Sequence, residues 1–576
     1  MRRLTRYLLV FAALTRVALA QPLEASVLSL DELKPGQQGE VWTVFQGTEP
    51  EPFTVEVTGV LRNALGPGKS LIVCQLTDPR VQKMGAVAGM SGSPLYIDGK
   101  LAGALSYQIQ RFETVRHAGF TPAADLDEVK NKSSLQSNRL AHVLPGTAHP
   151  TDAPYRSMQP VFTLGGLSPV VADLFTPQFS ALGLNATALG GSTQGSVQAQ
   201  PAAATLHSPG DKDFSRPTLR PGSAVAVALA TGDITLAGTG TVSTVHGDKV
   251  TAFGHPMLSL GEVALPMCAS EIITILPSQM QSVKIANTGQ VIGTITQDRL
   301  SAVSGTLGSG PEMTKVEVTV TPTHGAPRTL KFSVARQQQL TPVIVAAGVS
   351  QAILGSNDAG LANGFRLKSD VSFPASARLE SQTIYSGPQG FAQGLQEFVQ
   401  GLAANLHNPY AKTFPDHVAF SVEPLETNPT VTLDMFQLSR THVSAGQTVQ
   451  ATIAWRDWQG DAHRETIDLT IDPAWTGKRL EVVLAPGRAL DEMTGRPRVI
   501  SASELRSFEA YLAVMRDNRP TDGVSIAIVE KASLFSDQTV ATPEAPGSIE
   551  RIARGSDEAR FRRRDALIPL WEKLSL

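Results

Sequence analysis

The residues best suited to chemistry in this sequence lie in one short turn, residues 89–94, which reads Gly-Met-Ser-Gly-Ser-Pro. Flanking glycines allow backbone conformations that residues with a Cβ rarely adopt. A serine held in such a turn acts as a nucleophile in acyl transfer, while the N–H groups of Gly89 and Ser91 converge on the developing oxyanion. The alternative is a Gly/Ser turn that only connects two strands. In both cases Ser93 is expected to shape the turn.

A serine nucleophile needs a base that removes its proton near neutral pH, and histidine is the usual one. Of the 11 histidines, His255 is the best candidate, because it directly follows a strand-like run and lies between Gly254 and Pro256. This setting fixes a side chain at a strand end. His246 lies in a Gly-Asp turn and is expected to be exposed. The alternative for His255 is a histidine that is hydrogen-bonded within a turn.

An acidic residue would orient the imidazole and stabilise its protonated form. Three aspartates are candidates. Asp78 follows a strand that leads into the serine turn, Asp248 is close to His255 in sequence, and Asp298 lies in the run TQDRL. Each of the three could instead cap a turn. The residue pattern alone does not choose among them.

The two cysteines, Cys74 and Cys268, allow a single disulfide pairing. Each lies near a catalytic candidate in sequence, so we expect the two to approach each other in an oxidising compartment. Two buried free thiols are the alternative. The sequence contains no metal-ligand cluster, phosphate-binding glycine loop or dinucleotide fingerprint, and we therefore expect neither a metal nor a cofactor.

The N-terminus predicts export. Residues 1–20 have a basic start, a short apolar segment and a final Ala-Leu-Ala, which is typical of a cleavable secretory signal. No later segment has eighteen uninterrupted apolar residues, so we expect no transmembrane segment after cleavage, and a periplasmic or extracellular protein. The formal net charge of −3 gives no indication of a nucleic-acid partner.

Composition and pattern predict a mainly β protein of several domains. The chain has 576 residues with 49 glycines and 38 prolines, and its Val, Thr and Ile residues occur in short alternating runs between turns. Residues 416–490 alternate in the manner of an immunoglobulin-like β-sandwich. The predicted division after the signal is a serine-containing half (24–130), a linker (131–216), a histidine-containing half (217–337), a helical region (338–415), a β-sandwich (416–500) and a C-terminal helix with a charged tail (501–576).

Two blocks of the sequence resemble the SpoIVB peptidase family, peptidase family S55. The block IVCQLTDPRVQKMGAVAGMSGSPLYIDGKLAGALSY resembles its serine-containing segment, and VTAFGHPMLSLGE resembles its histidine motif. The two matches cover roughly residues 40–130 and 217–305. The resemblance implies Ser91 as nucleophile, His255 as general base and Asp78 as the orienting acid. Gly89 and Ser91 would then supply the oxyanion hole.

The order of the two blocks differs from the family, because here the serine precedes the histidine. The site therefore requires a trypsin-like double β-barrel assembled from 24–130 and 217–337, in which chain order is immaterial to triad geometry. The resulting hypothesis is an exported serine endopeptidase that cleaves protein or peptide substrates and takes part in envelope signalling. Its C-terminal sandwich would bind an envelope protein partner. The alternative is a catalytically inactive envelope protein that acts as an interaction or scaffold module.

Overall fold

The computed structural model is mainly β, which confirms the predicted class. The expected signal segment 1–20 and most of the expected linker lie outside the residues that the structure describes. The described residues are 25–109, 115–131, 155–158, 160–184, 187–189, 191–192, 219–278, 282–322, 326–355, 363–374, 377–406, 413–494, 507–519, 523–537, 540–543, 548 and 562–574.

The serine-containing half forms a closed barrel. Six antiparallel strands pair in the order β4-β1-β2-β3-β6-β5, and β5 pairs back to β4. A seventh strand, β7, pairs with the end of β5 that extends beyond β4. Asp98 and Gly99 join β4 to β5 with positive φ angles of 48° and 75°, as a type I′ hairpin requires. The elements are β1 (Gln38–Thr43), β2 (Glu51–Leu61), β3 (Leu71–Leu76), α1 (Pro79–Met84), β4 (Pro94–Ile97), β5 (Lys100–Ile109), β6 (His117–Pro122), α2 (Ala123–Asn131) and β7 (Tyr155–Ser157), after a 3-10 turn at Leu30–Glu32.

The histidine-containing half forms a second closed barrel. Its six strands pair in the order β11-β14-β15-β16-β13-β12, and β12 pairs back to β11. Short elements that precede the barrel in the chain extend its sheet beyond β12 and β15. The elements are β8 (Val161–Gly165), α3 (Pro169–Ala181), β9 (Thr187–Leu189), β10 (Gly191–Ser192), β11 (Ala224–Gly232), β12 (Thr235–His246), β13 (Lys249–Ala252), β14 (Gly261–Leu276), β15 (Val283–Arg299) and β16 (Ala302–Leu307).

A sheet and two helices extend the second barrel through β11, which also pairs with β18. Helices α4 and α5 lie within the region 338–415 that the sequence predicts as helical, and two strands, β19 and β20, lie between them. Helix α4 is apolar all round and is buried in the core that this sheet shares with the barrel. The elements are β17 (Met313–Val320), β18 (Arg328–Ala335), α4 (Leu340–Leu354), β19 (Phe365–Ser372), β20 (Arg378–Tyr385), α5 (Gly387–Leu406) and β21 (His417–Pro424).

The C-terminal region forms two packed sheets with a common apolar core. The second sheet includes β28, where the sequence suggested a charged tail. Its first residues are basic, but Leu567 and Trp571 further along pack against the apolar cores of this region. The elements are β22 (Thr432–Leu438), β23 (Thr448–Arg456), β24 (Ala462–Thr470), a 3-10 turn (Pro473–Trp475), β25 (Leu480–Pro486), α6 (Gly487–Met493), α7 (Phe508–Arg516), β26 (Val524–Asp537), β27 (Val540–Pro543) and β28 (Arg562–Leu574). Among the described helices, none combines the length and apolarity needed to span a membrane.

The two barrels pack directly against each other. Leu126 and Val129 of α2 form a buried cluster with Ala104 of the serine barrel and Ala302 of the histidine barrel. Burial of this apolar surface stabilises the pair of barrels as one unit. A second buried apolar cluster joins the barrels at Val44, Ala224, Ile272 and Ala286.

We predict that Gly92→Ala separates or distorts the barrels. A Cβ at Gly92 would lie 2.1 Å from the Thr241 oxygen and 2.4 Å from the Phe253 nitrogen, at a φ of +94°. The steric overlap of the added Cβ and the positive φ at this position together should lower the free energy of unfolding by roughly 2–4 kcal/mol. Urea titration measures this loss. Gly99→Ala is the control, because its φ is +75° with nothing within 4 Å. An equal loss in both variants would contradict a steric effect at the barrel contact.

Candidate active site

The serine turn is built by its glycines and by Ser93. Gly89 and Gly92 have φ angles of +96° and +94°, which an L-residue rarely adopts. The Ser93 hydroxyl donates to the Met90 carbonyl at 2.6 Å and closes the turn. Ser91 is fully buried, and its hydroxyl has no hydrogen-bond partner among the described residues. Ser93 therefore has a partner within the turn, whereas the Ser91 hydroxyl is left available.

The backbone of the turn leaves two N–H groups uncommitted. Those of Met90, Gly92 and Ser93 donate to the carbonyls of nearby backbone. Those of Gly89 and Ser91 donate to no atom of the described residues. These two are the groups that the sequence predicts as oxyanion donors. A buried, unpaired N–H is costly, so a pair of them two residues apart beside a serine is typical of an anion-binding site.

His255 lies in a strained turn that follows β13. Phe253 and Gly254 have φ angles of 70° and 66°, and the Gly254 carbonyl accepts a hydrogen bond from the Thr121 hydroxyl of the serine barrel at 2.6 Å. The His255 ring is fully buried and meets the Phe253 ring edge to face, with 6.1 Å between centroids. The turn is thus held by a contact between the two barrels.

The surroundings of the His255 ring favour its neutral form with the proton on Nδ1. Its Nδ1 lies 2.7 Å from the Pro256 carbonyl oxygen. A carbonyl only accepts, so Nδ1 carries the proton and Nε2 presents its lone pair. Nε2 is buried without a partner among the described residues. Burial lowers the pKa of His255 to about 4, and the hydrogen bond to Pro256 opposes this only in part.

The two turns meet through Thr241 of β12. Its N–H donates to the Ser91 carbonyl at 2.8 Å, and its own carbonyl accepts from the Phe253 N–H at 3.2 Å. Its hydroxyl donates to the Gly89 carbonyl at 3.1 Å. One strand of the histidine barrel therefore holds the serine turn and the histidine turn side by side. Ser91 Oγ and His255 Nε2 are not hydrogen-bonded to each other in this arrangement.

The structure does not place Asp78 against His255. Asp78 caps the N-terminus of α1, where its carboxylate accepts from the Arg80 N–H at 2.8 Å and pairs with the Arg80 guanidinium. Burial alone would raise the pKa of Asp78, but the bonds to Arg80 outweigh it and hold that pKa below its usual range. The prediction that Asp78 orients the histidine is therefore wrong. The Thr-Asp-Pro pattern is a helix cap, with proline at the first helical position.

The other two candidate aspartates, Asp248 and Asp298, differ in their burial and in their hydrogen bonds. Asp248 is exposed in the hairpin between β12 and β13. Asp298 is buried, and its carboxylate accepts from the N–H groups of Met257, Leu258 and Leu260 at 2.7, 2.8 and 3.1 Å. It therefore fixes the backbone that follows His255 without contacting the ring. Asp298 is a positioning residue for the histidine turn.

The expected disulfide is absent. Cys74 and Cys268 are both free and buried. Cys74 belongs to the core of the serine barrel, while Cys268 packs among Ala226, Ala228 and Ala237 within the histidine barrel. Burial raises the pKa of each thiol to about 12, which makes both unreactive. Nearness to the candidate site in sequence was misleading, because strands β3 and β14 carry the thiols into two different cores.

Lys284 is a site residue that sequence reasoning missed. It is fully buried, and its Nζ donates to the Thr43 hydroxyl at 2.8 Å. Its backbone N–H donates to the Ala88 carbonyl, and its aliphatic stem packs on Gly89, where a Cβ would lie 3.0 Å from it. Lys284 therefore extends from the histidine barrel behind the serine turn to the end of β1. The only signal in the sequence was a lysine at an inward position of an alternating strand.

Two closed β-barrels that bring a serine turn against a histidine turn are typical of two-barrel serine peptidases. Comparison with known families agrees, since the family described as SpoIVB peptidase S55 matches residues 13–112. The match covers the serine-containing segment and supports the resemblance to the SpoIVB peptidase S55 family that the sequence predicts. The match ends before the histidine block, so the permuted order stays a prediction. No curated protein and no solved structure matches the chain.

We predict that Asp298→Asn loosens the histidine turn. Both carboxylate oxygens accept from these N–H groups, whereas Asn keeps one acceptor oxygen and turns an NH₂ group toward the remaining donors, so the loss in unfolding free energy should be about 1.5–3 kcal/mol. Urea titration measures it. Asp248→Asn is the matched control and should change stability by less than about 0.5 kcal/mol, because that residue is exposed. Equal effects of the two substitutions would refute a positioning role for Asp298.

We predict that Lys284→Met changes the pH dependence of stability. Burial lowers the pKa of Lys284 to about 7, against an ordinary value of 10.5. Between these values the unfolded chain binds the extra proton, so wild-type stability rises with pH across this window. Lys284→Met lacks that penalty and should be more stable at pH 7 by about 1–4 kcal/mol, with an advantage that shrinks toward pH 10. An advantage independent of pH in urea titrations would contradict a buried amine that titrates.

Proposed function

We propose that this chain is a serine endopeptidase in which Ser91 is the nucleophile and His255 is the general base. The observation that carries the proposal is a pair of buried polar atoms, Ser91 Oγ and His255 Nε2, which have no partner in the described part of the chain and lie on two turns in contact. Such orphaned groups are costly in a core and are typical of functional sites. One is a hydrogen-bond donor and the other an acceptor, so each suits the other.

The chemistry follows from these groups. Ser91 Oγ bonds to the carbonyl carbon of the substrate while its proton passes to His255 Nε2. The negative charge that forms on the carbonyl oxygen is stabilised by the N–H groups of Gly89 and Ser91. The carbon–nitrogen bond then breaks, and His255 returns the proton to the leaving amine. A water molecule hydrolyses the resulting ester by the same proton transfers and regenerates Ser91.

In this proposal the Pro256 carbonyl takes over the orienting part of a triad carboxylate. It fixes the tautomer with the lone pair on Nε2, but it supplies no full negative charge to stabilise the imidazolium. His255 in its buried setting is accordingly a weak base. Asp298 contributes indirectly by holding the following backbone. We expect a slow enzyme in this conformation, and a faster one once solvent or substrate restores the basicity of the ring.

The substrate class that fits is a polypeptide, in keeping with the serine peptidase family of the matched segment. We further propose export to the periplasm or extracellular space, on the strength of the basic and apolar N-terminal sequence. An envelope protein partner for the C-terminal sandwich and a part in envelope signalling complete the hypothesis.

A scaffold protein without activity is the second candidate function. It is favoured by the complete burial of Ser91 and His255 and by the lack of a carboxylate on the His255 ring among the described residues. A surface that never opens could preserve the fold for binding alone. The two candidates differ in whether Ser91 reacts.

We predict that a fluorophosphonate probe labels Ser91. Ser91→Ala should remove the label, and His255→Ala should slow labelling by roughly 100-fold or more, the usual contribution of a general base. Peptide mapping by mass spectrometry locates the label. Ser93→Ala is the matched control and should stay within about tenfold of wild type, because Ser93 only closes the turn. Labelling at a different residue would contradict the proposed nucleophile, and complete inertness would favour the scaffold.

A further inference from the structure

A four-residue segment of the chain pairs with the end of strand β5 in the serine barrel, beside the candidate site. We call residues 155–158 the strap. Strand β7, its first three residues, pairs antiparallel with the end of β5, where Ser157 faces Tyr107. Met158 then continues the ladder, because its N–H donates to the Ser106 carbonyl at 2.8 Å. After Met158 the chain proceeds to β8, which pairs with the histidine barrel, so the strap crosses from one barrel to the other.

The strap ends where the two turns of the site meet. The Leu105 carbonyl accepts from the Gly92 N–H at 2.7 Å, and a Cβ on Gly254 would lie 3.1 Å from the same oxygen. Ser106 is the next residue, and a Cβ placed on Gly254 would lie 3.3 Å from the Ser106 Cβ. The residue that binds Met158 therefore adjoins both the serine turn and the histidine turn.

The side chain of Met158 is buried in an apolar pocket. Only 1% of it is exposed, and it joins the core of the serine barrel that also contains Ala86, Val87 and Met90, the residues that lead into Ser91. Gln108 of β5 donates through Nε2 to the Ala86 carbonyl at 2.7 Å and ties this segment to the strand edge. Met158 therefore belongs to the same apolar core as the segment that leads into the serine turn, and Gln108 ties that segment to the β5 edge.

We propose that the strap occupies the place of a substrate's acyl side, with Met158 in the specificity pocket. The peptidase then selects polypeptides that carry an unbranched apolar residue of methionine size before the cleaved bond. This inference rests on the proposed function. An extended peptide commonly binds by adding a strand to a free sheet edge, with alternate side chains in pockets. The strap shows this geometry on the edge that adjoins Ser91.

The strap also accounts for the burial of the site. Ser91 and His255 have no exposed surface in a conformation where the adjoining edge is filled by the chain itself. A substrate must displace the strap, so the observed reactivity is reduced by the fraction of molecules in which the edge is open. Apolar contacts of Met158 with its pocket set that fraction. Placing a charge on this side chain should empty the pocket, since an unpaired carboxylate is not tolerated in an apolar core.

The experiment compares labelling of the full chain by a small fluorophosphonate in wild type, Met158→Asp and Met158→Leu. We expect Met158→Asp to label about tenfold faster or more, and Met158→Leu, which keeps an apolar side chain of similar volume, to label like wild type. If the Met158→Asp variant fails to fold, as judged by its melting transition, the Met158→Gly variant is used in its place. Ser91→Ala combined with Met158→Asp should remove all label.

The opened variant then reports the specificity. Peptidyl phosphonates with norleucine next to phosphorus should inactivate Met158→Asp roughly 10–200-fold faster than the matched lysine or aspartate compounds. Equal, measurable labelling of wild type and Met158→Asp would overturn the strap assignment and leave the peptidase intact. A preference for the lysine or aspartate compound would overturn the specificity. Inertness of every variant toward every probe would refute the proposed function itself, and this inference with it.

Discussion

The contact between two backbone turns from separate barrels is the constraint on which the rest of this structure depends. Gly92 lies so close to Thr241 and Phe253 that no side chain fits between them, and Thr241 bonds to the serine turn on one side and to the histidine turn on the other. Neither turn is held in place by its own barrel alone. The apolar clusters at α2 and at Val44 keep the barrels in register, and the hydrogen bonds of Thr241 convert that packing into the placement of two reactive groups.

This arrangement removes the reactive groups from water. Burial makes His255 a weak base, and the Ser91 hydroxyl has no partner among the residues that the structure describes, so the two candidate residues are not bonded to each other. Lys284 adds a second unusual cost, because its amine lies in the interior beside the same turn, bonded to the Thr43 hydroxyl and with no carboxylate beside it among the described residues. Buried polar groups that cost free energy in this way are typical of functional sites, because packing alone would favour apolar residues at these positions. The strap that fills the adjoining strand edge fits a site held closed until a polypeptide replaces it.

The order of the halves along the chain places few demands on this geometry. Each barrel closes on itself, the first through β4 and β5 and the second through β11 and β12. The barrels meet through side chains, turns and isolated backbone bridges such as that of Gly47 with Ile272, and none of these depends on which half comes first in the chain. The strap, a described part of the connection between them, lies beside the candidate site.

The sequence by itself determined the local features of this protein. Alternation predicted the strands, Asp98-Gly99 predicted the hairpin, and the glycines around Ser91 predicted a turn with positive φ angles. These depend on neighbours within a few residues. The surroundings of Asp298, Cys74 and Cys268 depend on which strands lie side by side, and the pattern of one chain carries no such information. The sequence therefore predicts a disulfide where the two thiols point into separate cores. Asp78 differs, because its helix cap is a local feature that the Asp-Pro pair also indicates. Only the tertiary structure decided that Lys284 supports the serine turn and that Met158 fills the edge beside it, because each of these contacts joins residues far apart in the chain. The bond of His255 to the carbonyl of its neighbour Pro256 depends on the conformation of their turn, which the Thr121 hydroxyl of the other barrel helps to hold.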